Sequence, residues 1–457
     1  MKEIIFLIII STTFTYLVFP LIKESREITS SDNQTIIIKK LDEINFYVTI
    51  NIGSEKKNVK AFITQANSDF CIGGQNTKNH KYDETSSESY NCTNTGKISL
   101  SYSSYEEGLL STETFYIENE KKEIQEIKNV DFILGTRSKE SNINEGEIGL
   151  HLPYNNASPE LNFVFCLKRT KIINSYYWYF DFDDFSNGNG KMVVDGFPHD
   201  LNPKIYNESN KIEIKGLNRG YTVNWGFFFT NIYYDESYIS ISNEVEGQIE
   251  FNKGLISAPS DAAKNLEESF FNKYLEKDIC FKIEKLTNEF FYYCKKDKKF
   301  DIKEFKSIYL KSADLEIIFE LDYKDLFYYN NNYYIFLITF KGESNIWNLG
   351  ELFYKKYYIF YNQDSKNIGY YKGMEQEKKK SKDKDKINYF LLIFILLFLI
   401  LIGVIIVGII FYLKKGPRKN RANELDDDNY SYEVNPNDSE DKINKLIDEK
   451  NNNNYIN

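Results

Sequence analysis

The residue types that carry most protein chemistry are few and scattered in this chain. Three histidines, His80, His151 and His199, lie far apart and match no ligand spacing such as H-E-x-x-H, so each reads as a packing or surface residue. Of five cysteines, Cys280 and Cys294 enclose a short charged segment and are expected to pair. Cys71 with Cys92 is a second possible pairing, which leaves Cys166, inside the apolar "FVFCL", as a buried thiol. No base stands near any of them to activate a nucleophile. Carboxylates remain. Two of them facing one water can share a proton, one acting as base while the other donates to a carbonyl. Asp69 in "AFITQANSDFCI", Glu250 in "IEFNKGLISAPS" and Asp261 in "PSDAAKN" each follow a strand-like run. No metal or cofactor is expected.

The elements that must position these carboxylates are mostly strands. "FYVTINIG", "VKAFI", "GKISLSY", "ETFYI", "NVDFILG", "GKMVVDG", "GQIEF", "YYIFLITF" and "YYIFY" are short β-branched or aromatic runs bounded by Gly, Asn, Asp or Ser. The best helix is "PSDAAKNLEESFFNKYLEK", with Pro259 at a permitted first-turn site and Ser260 or Asp261 as the expected cap. Ala262, Leu266, Phe270 and Tyr274 fall on its one apolar face. A rough duplication is visible: a strand-rich opening leads to "AFITQANSD" in one half and to "GQIEFNKGLIS" in the other. Each half later reaches a glycine in an apolar setting, "EGEIGLHLP" and "WNLGELF". The expected fold class is all-β, as two lobes over 40–210 and 211–372 with few short helices.

Both ends carry membrane signals. Residues 4–19, "IIFLIIISTTFTYLVF", follow Lys2 and suggest a signal peptide over 1–22 without a legible cleavage site. The uncharged run Tyr389–Leu413 would form a helix about 37 Å long, enough to span a bilayer. A charged stalk, 373–388, precedes it, and a polar tail, 414–457, follows. Lysines flank both sides of the span, so charge alone does not orient it. The N-terminal signal does, placing the lobes in the lumen or outside the cell as a single-pass type I membrane protein. Sequons at Asn33, Asn91, Asn156 and Asn207 fit that exposure as glycosylation sites. Net charge is −10 with no basic stripe, which excludes nucleic acid as the expected partner.

"FYVTINIGSEKKNVKAFITQANSDFCI" resembles the opening of the pepsin-like aspartic proteases, peptidase family A1, in which a Y-V-x-I-x-I-G strand returns into one ending D-T-G-S-S-D-L-W-V. "LSYSSYEEGLLSTETFYI" resembles their flap hairpin, with Tyr102 on the flap tyrosine and Gly108, Leu110 and Thr114 in place. "EGEIGLHLP", "GKMVVDGFPHD" and "WNLGELFYKKYYIFYNQDSKNIGYY" resemble later landmarks in the same order. The likeness covers about residues 40–372. It implies a bilobal β fold with a peptide cleft between the lobes and an Asp-Thr/Ser-Gly loop from each lobe at its floor.

Both loops depart from the family pattern. Thr64, Gln65 and Ala66 stand at the first Asp-Thr-Gly; Glu250, Phe251, Asn252 and Lys253 stand at the second Asp-Ser/Thr-Gly-Thr. The resemblance places Asp69 on the family's structural aspartate, pointing away from the cleft. The flap is one residue short, with Ser103, Ser104 and Tyr105 replacing its glycines. A threonine hydroxyl is no base, and Glu250 alone has no second carboxylate with which to share a proton. The first expectation is therefore a membrane-anchored pseudoprotease that binds extended peptides or protein segments. An active endopeptidase with a substituted dyad and a structural or adhesive surface protein are the alternatives.

Overall fold

The computed structural model describes residues 16–372 apart from 30, 119–122, 141–143, 153–160, 183–188, 220–221, 241–244, 285–287, 313–317, 331 and 343–344. The chain divides into two compact units, Met1–Lys382 and Asp383–Asn457, and every described residue lies in the first. Residues 1–15 of the expected signal, the sequon at Asn156, the stalk 373–388, the span 389–413 and the tail 414–457 lie outside the described residues. Among the described residues no helix is long and apolar enough to cross a membrane.

Two large sheets dominate. The first has 13 strands and the second 12, and the core is built from the period-2 pattern of their strands. In Ile44–Ile52, for example, Ile44, Phe46, Val48, Ile50 and Ile52 are all buried. Each half repeats one local plan. Strand Lys57–Thr64 runs parallel to Gly146–Gly149, and Phe70–Gly73 pairs antiparallel with the latter and parallel with Ile124–Ser138. Strand Val245–Ile249 runs parallel to Ile346–Leu349, and Ile256–Ala258 pairs antiparallel with the latter and parallel with Ile338–Lys341. The loops 65–69 and 250–255 thus occupy equivalent places, each between a strand that enters this four-strand motif and one that leaves it.

The division between lobes is not the simple halving expected from sequence. Lys211–Lys215, Phe360–Asn362 and Asn367–Tyr371 pair within the first sheet, on the far side of Tyr177–Asp181 and Asn189–Val194. They join it because their apolar faces meet the aromatic layer around Trp178, which stacks on Tyr361 at 4.1 Å.

The segment expected as signal, 1–22, overlaps a strand of this sheet. Leu17–Ser25 is a strand in the interior of the first sheet, paired with Asn189–Val194 on one side and Ile44–Ile52 on the other. Leu17, Phe19 and Leu21 are buried. Pro20 stands opposite Lys191, just before pairing to Ile44–Ile52 begins at Leu21, so its missing N–H breaks no second ladder. The following helix, Gln34–Asp42, is capped by the Asn33 side chain and buries Ile37 and Ile38 against Leu255, Phe291, Ile335 and Leu337 of the second lobe.

The expected second-lobe helix is present as Ser260–Leu266, a wider π turn over Glu267–Phe271, and Asn272–Leu275. Ala262, Leu266, Phe270 and Tyr274 are buried as its spacing requires. Neither Ser260 nor Asp261 caps it, because Pro259 takes the cap position and the Ser260 hydroxyl donates instead to the Gly342 carbonyl. Cys280 and Cys294 form a disulfide between directly opposed strand positions. Cys71, Cys92 and Cys166 are not disulfide-bonded; Cys71 lies buried in Phe70–Gly73 while Cys92 sits part-exposed on the strand Asn91–Ser99.

The buried first strand sets the expected mature N-terminus. Mass spectrometry of the processed chain should find it before Leu17, and Phe19→Ala should cost about 3–5 kcal/mol in denaturant unfolding. A processed chain that begins after Ile22 and still unfolds cooperatively would contradict the strand assignment.

Candidate functional site

The two loops meet through one cross-lobe hydrogen bond. The Phe251 backbone N–H donates to the Gln65 side-chain oxygen at 2.9 Å. Phe251 is completely buried; its ring lies edge-on to Trp178, Phe180 and Tyr361, and its carbonyl accepts from the Tyr354 hydroxyl at 3.0 Å. Each loop also rests on the glycine that its half supplies. A Cβ on Gly149 would stand 2.3 Å from Asn67 Oδ1 and 2.5 Å from the Asp69 nitrogen; on Gly350 it would stand 2.1 Å from the Leu255 carbonyl oxygen. No side chain fits at either place.

Thr64 is buried and its hydroxyl is engaged inside its own turn, accepting from the Ala66 N–H at 3.0 Å. Glu250 stands on the other loop, and among the described residues its side chain makes no hydrogen bond. Burial pushes its pKa up, Lys253 and Lys341 pull it down, and Asp42 pushes it up. Lys253 is held by the Asp42 carboxylate at 3.0 Å, at the C-terminus of the helix Gln34–Asp42. Burial alone would lower that ammonium, but Asp42 and Glu250 keep it above its ordinary range. Neither Ala66 nor Asn252, which the resemblance aligns with glycine, adopts a positive φ, so both fit without backbone strain.

The flap hairpin is formed by Asn91–Ser99 and Tyr105–Glu118, with its tip at 100–104. The tip is tied down on its own lobe. Glu147, buried in the strand Gly146–Gly149, accepts from the Ser103 hydroxyl at 2.5 Å and the Ser104 N–H at 3.0 Å. Asn67 Nδ2 donates to the Tyr102 carbonyl at 3.3 Å, and Tyr105 is buried with its hydroxyl donating to the Asn144 carbonyl. The Tyr102 side chain itself is 67% exposed. Ser103, Ser104 and Tyr105 are therefore the residues that anchor the hairpin tip.

Asp69 is half-buried beside this cluster. Burial raises it, and burial raises Glu147 as well, against the pull of Ser103, Ser104 and Asn67 and with a further push from Asp69. Burial together with Asp69 and Glu147 pushes the Cys71 thiol well up, which removes it as a nucleophile. The three histidines are tied by ring hydrogen bonds: His80 to the Thr77 carbonyl, His151 to the Leu152 carbonyl and Asn224, His199 to Tyr371. No group of three or more His, Cys, Asp or Glu residues among the described residues could hold a metal.

Residues 45–372 match the family model of the eukaryotic aspartyl protease. The chain belongs to that family. A search of curated proteins returns no match. Thr64 ends the strand that enters the first of the two equivalent loops, Glu250 opens the second, and Tyr102 lies at the tip of the hairpin. Sequence reasoning missed Gln65 as the link between the loops and Glu147 as the flap anchor. The available signal for Glu147 was a lone acid in the otherwise apolar "GEIG", a charge that burial requires to be hydrogen-bonded.

Two outcomes are expected. Gln65→Ala leaves the Phe251 N–H buried without an acceptor and should destabilise the fold by about 1–3 kcal/mol in urea unfolding. The raised pKa values of Asp69, Glu147 and Glu250 mean that the folded state holds protons more tightly than the unfolded one. Their stabilising contribution is fully present below the ordinary carboxyl range and is lost as pH rises through the raised values. Thermal melts should therefore show a higher midpoint at pH 5 than at pH 7, and Glu147→Gln should shrink that difference. A midpoint that falls between pH 7 and pH 5 would contradict this.

Proposed function

We propose that this chain is a membrane-anchored, catalytically silent aspartyl protease relative whose cleft binds extended peptides or protein segments. The observation that carries the reading is the state of the first loop. Where a second carboxylate would have to stand, the Thr64 hydroxyl accepts from the Ala66 N–H and the neighbouring Gln65 side-chain oxygen accepts from the Phe251 N–H, and neither side chain is ionisable in the carboxyl range. A water held by Glu250 alone has no partner acid to protonate a substrate carbonyl while it is deprotonated. Binding does not need that partner, since extended peptides are held by strand-edge backbone and side-chain pockets.

The membrane placement rests on the apolar run 389–413 and the N-terminal apolar segment. The disulfide Cys280–Cys294 and the exposure of the sequon residues Asn33, Asn91 and Asn207 support lumenal or extracellular exposure. At Asn33 and Asn207 the side-chain oxygen is the capping acceptor, which leaves the amide nitrogen available for a glycan.

The test is peptide turnover by the purified chain from about pH 3 to 7, together with peptide retention on the immobilised protein. No turnover above buffer is expected, with measurable retention. Turnover that disappears in Glu250→Gln would overturn the silent-enzyme reading, and retention of no peptide would overturn the binding reading.

A further inference from the structure

A pocket of about 360 Å³ opens beside Glu250, within the size range of side-chain and small-ligand sites. Its lining is polar. Gln248, Asn348 and Ser257 come from three neighbouring strands in register, Gln248 opposite Asn348 and Asn348 opposite Ser257, so their side chains line one face. Glu250 and Lys341 add one charge of each sign, and among the described residues Ile346 is the one sizeable apolar residue in the wall.

The hydrogen-bonding state of these groups is uneven. Gln248 Nε2 donates to the buried Glu246 carboxylate at 2.9 Å, which fixes the amide. Among the described residues the side chains of Glu250, Ser257 and Asn348 make no hydrogen bond. Lys253, the nearest competing cation on the loop, is turned to Asp42.

An occupant must satisfy this wall. An aliphatic side chain would cover Glu250, Ser257 and Asn348 without pairing them, at the cost of their desolvation. A cation in the pocket meets Lys341, and an anion meets Glu250. A carboxamide offers two donors and one acceptor without net charge, and so can serve the Glu250 carboxylate, the Asn348 amide and the Lys341 ammonium together. We propose that this pocket selects an asparagine or glutamine side chain of a bound peptide, with Asn348 and Ser257 as specificity-determining residues. The proposal rests on the reading of the cleft as a peptide-binding surface.

The test is a peptide array, varied at each position among Gln, Asn, Leu, Phe, Lys and Glu, probed with the full-length chain in detergent micelles. Wild type should prefer Gln or Asn at one position. Asn348→Leu should weaken those peptides about tenfold and turn the preference at that position toward Leu, as expected when a hydrogen-bonding wall is replaced by an apolar one. Ser257→Ala, a smaller change, should weaken them in the same direction, and a thermal melt of each variant checks folding. Binding with an aliphatic or charged preference at every position, or a carboxamide preference unmoved in both variants, would overturn the pocket assignment and leave the peptide-binding reading intact. An array with no binder at all would overturn both.

Discussion

The hydrogen bond from the Phe251 N–H to the Gln65 side chain is the contact on which the site depends. It joins two loops that belong to different sheets, at a point where each loop is pressed onto a glycine without room for a side chain. The bond is shielded by the aromatic group of Trp178, Phe180, Tyr354 and Tyr361 packed around Phe251. A buried amide with a good acceptor contributes modestly, but losing the acceptor is expensive, so the two loops are fixed relative to each other. The position opposite Gln65 holds a phenylalanine, whose ring adds to the core beneath the loops and contributes no polar group above it.

Electrostatics around that contact is arranged on two sides. On the second-lobe side the Gln34–Asp42 helix presents its terminal carboxylate to Lys253, and its Leu41 carbonyl lies 1.9 Å from where a Cβ on Gly254 would be. On the first-lobe side Glu147 gathers the flap tip. Lys23, from the first strand, pairs with Glu351 just after Gly350, so the strand that opens the chain also contacts the end of the second-lobe motif. Half-buried pairs of this kind set geometry more than they add stability.

Much of the scaffold was legible in the sequence because it follows from local pattern. The alternation in Ile44–Ile52, the apolar face Ala262, Leu266, Phe270 and Tyr274 and the pairing of Cys280 with Cys294 all depend on residues close in the chain. The candidate site was only half legible. Thr64 and Glu250 are singled out by the family resemblance, but Gln65 finds its partner 186 residues away and Ser103 finds Glu147 44 residues away, distances over which no local rule applies. Leu17, Phe19 and Leu21 are ambiguous in the sequence because a hydrophobic leader and a buried strand use the same residues. The capping of the second-lobe helix failed for a similar reason: the Ser260 hydroxyl is drawn away by Gly342, a tertiary partner.

The first sheet contains both Leu17–Ser25 and the strands Phe360–Asn362 and Asn367–Tyr371. Nearly the whole described length must therefore exist before that sheet is complete, a non-local pairing of the kind that slows folding. During synthesis the opening strand is available long before Asn189–Val194 emerges to pair with it, and Tyr177–Asp181 waits longer still for Phe360–Asn362. Unpaired, apolar strand edges are aggregation-prone for that interval. The two halves look alike but do not mature separately; the nascent chain needs protection until its last strands arrive.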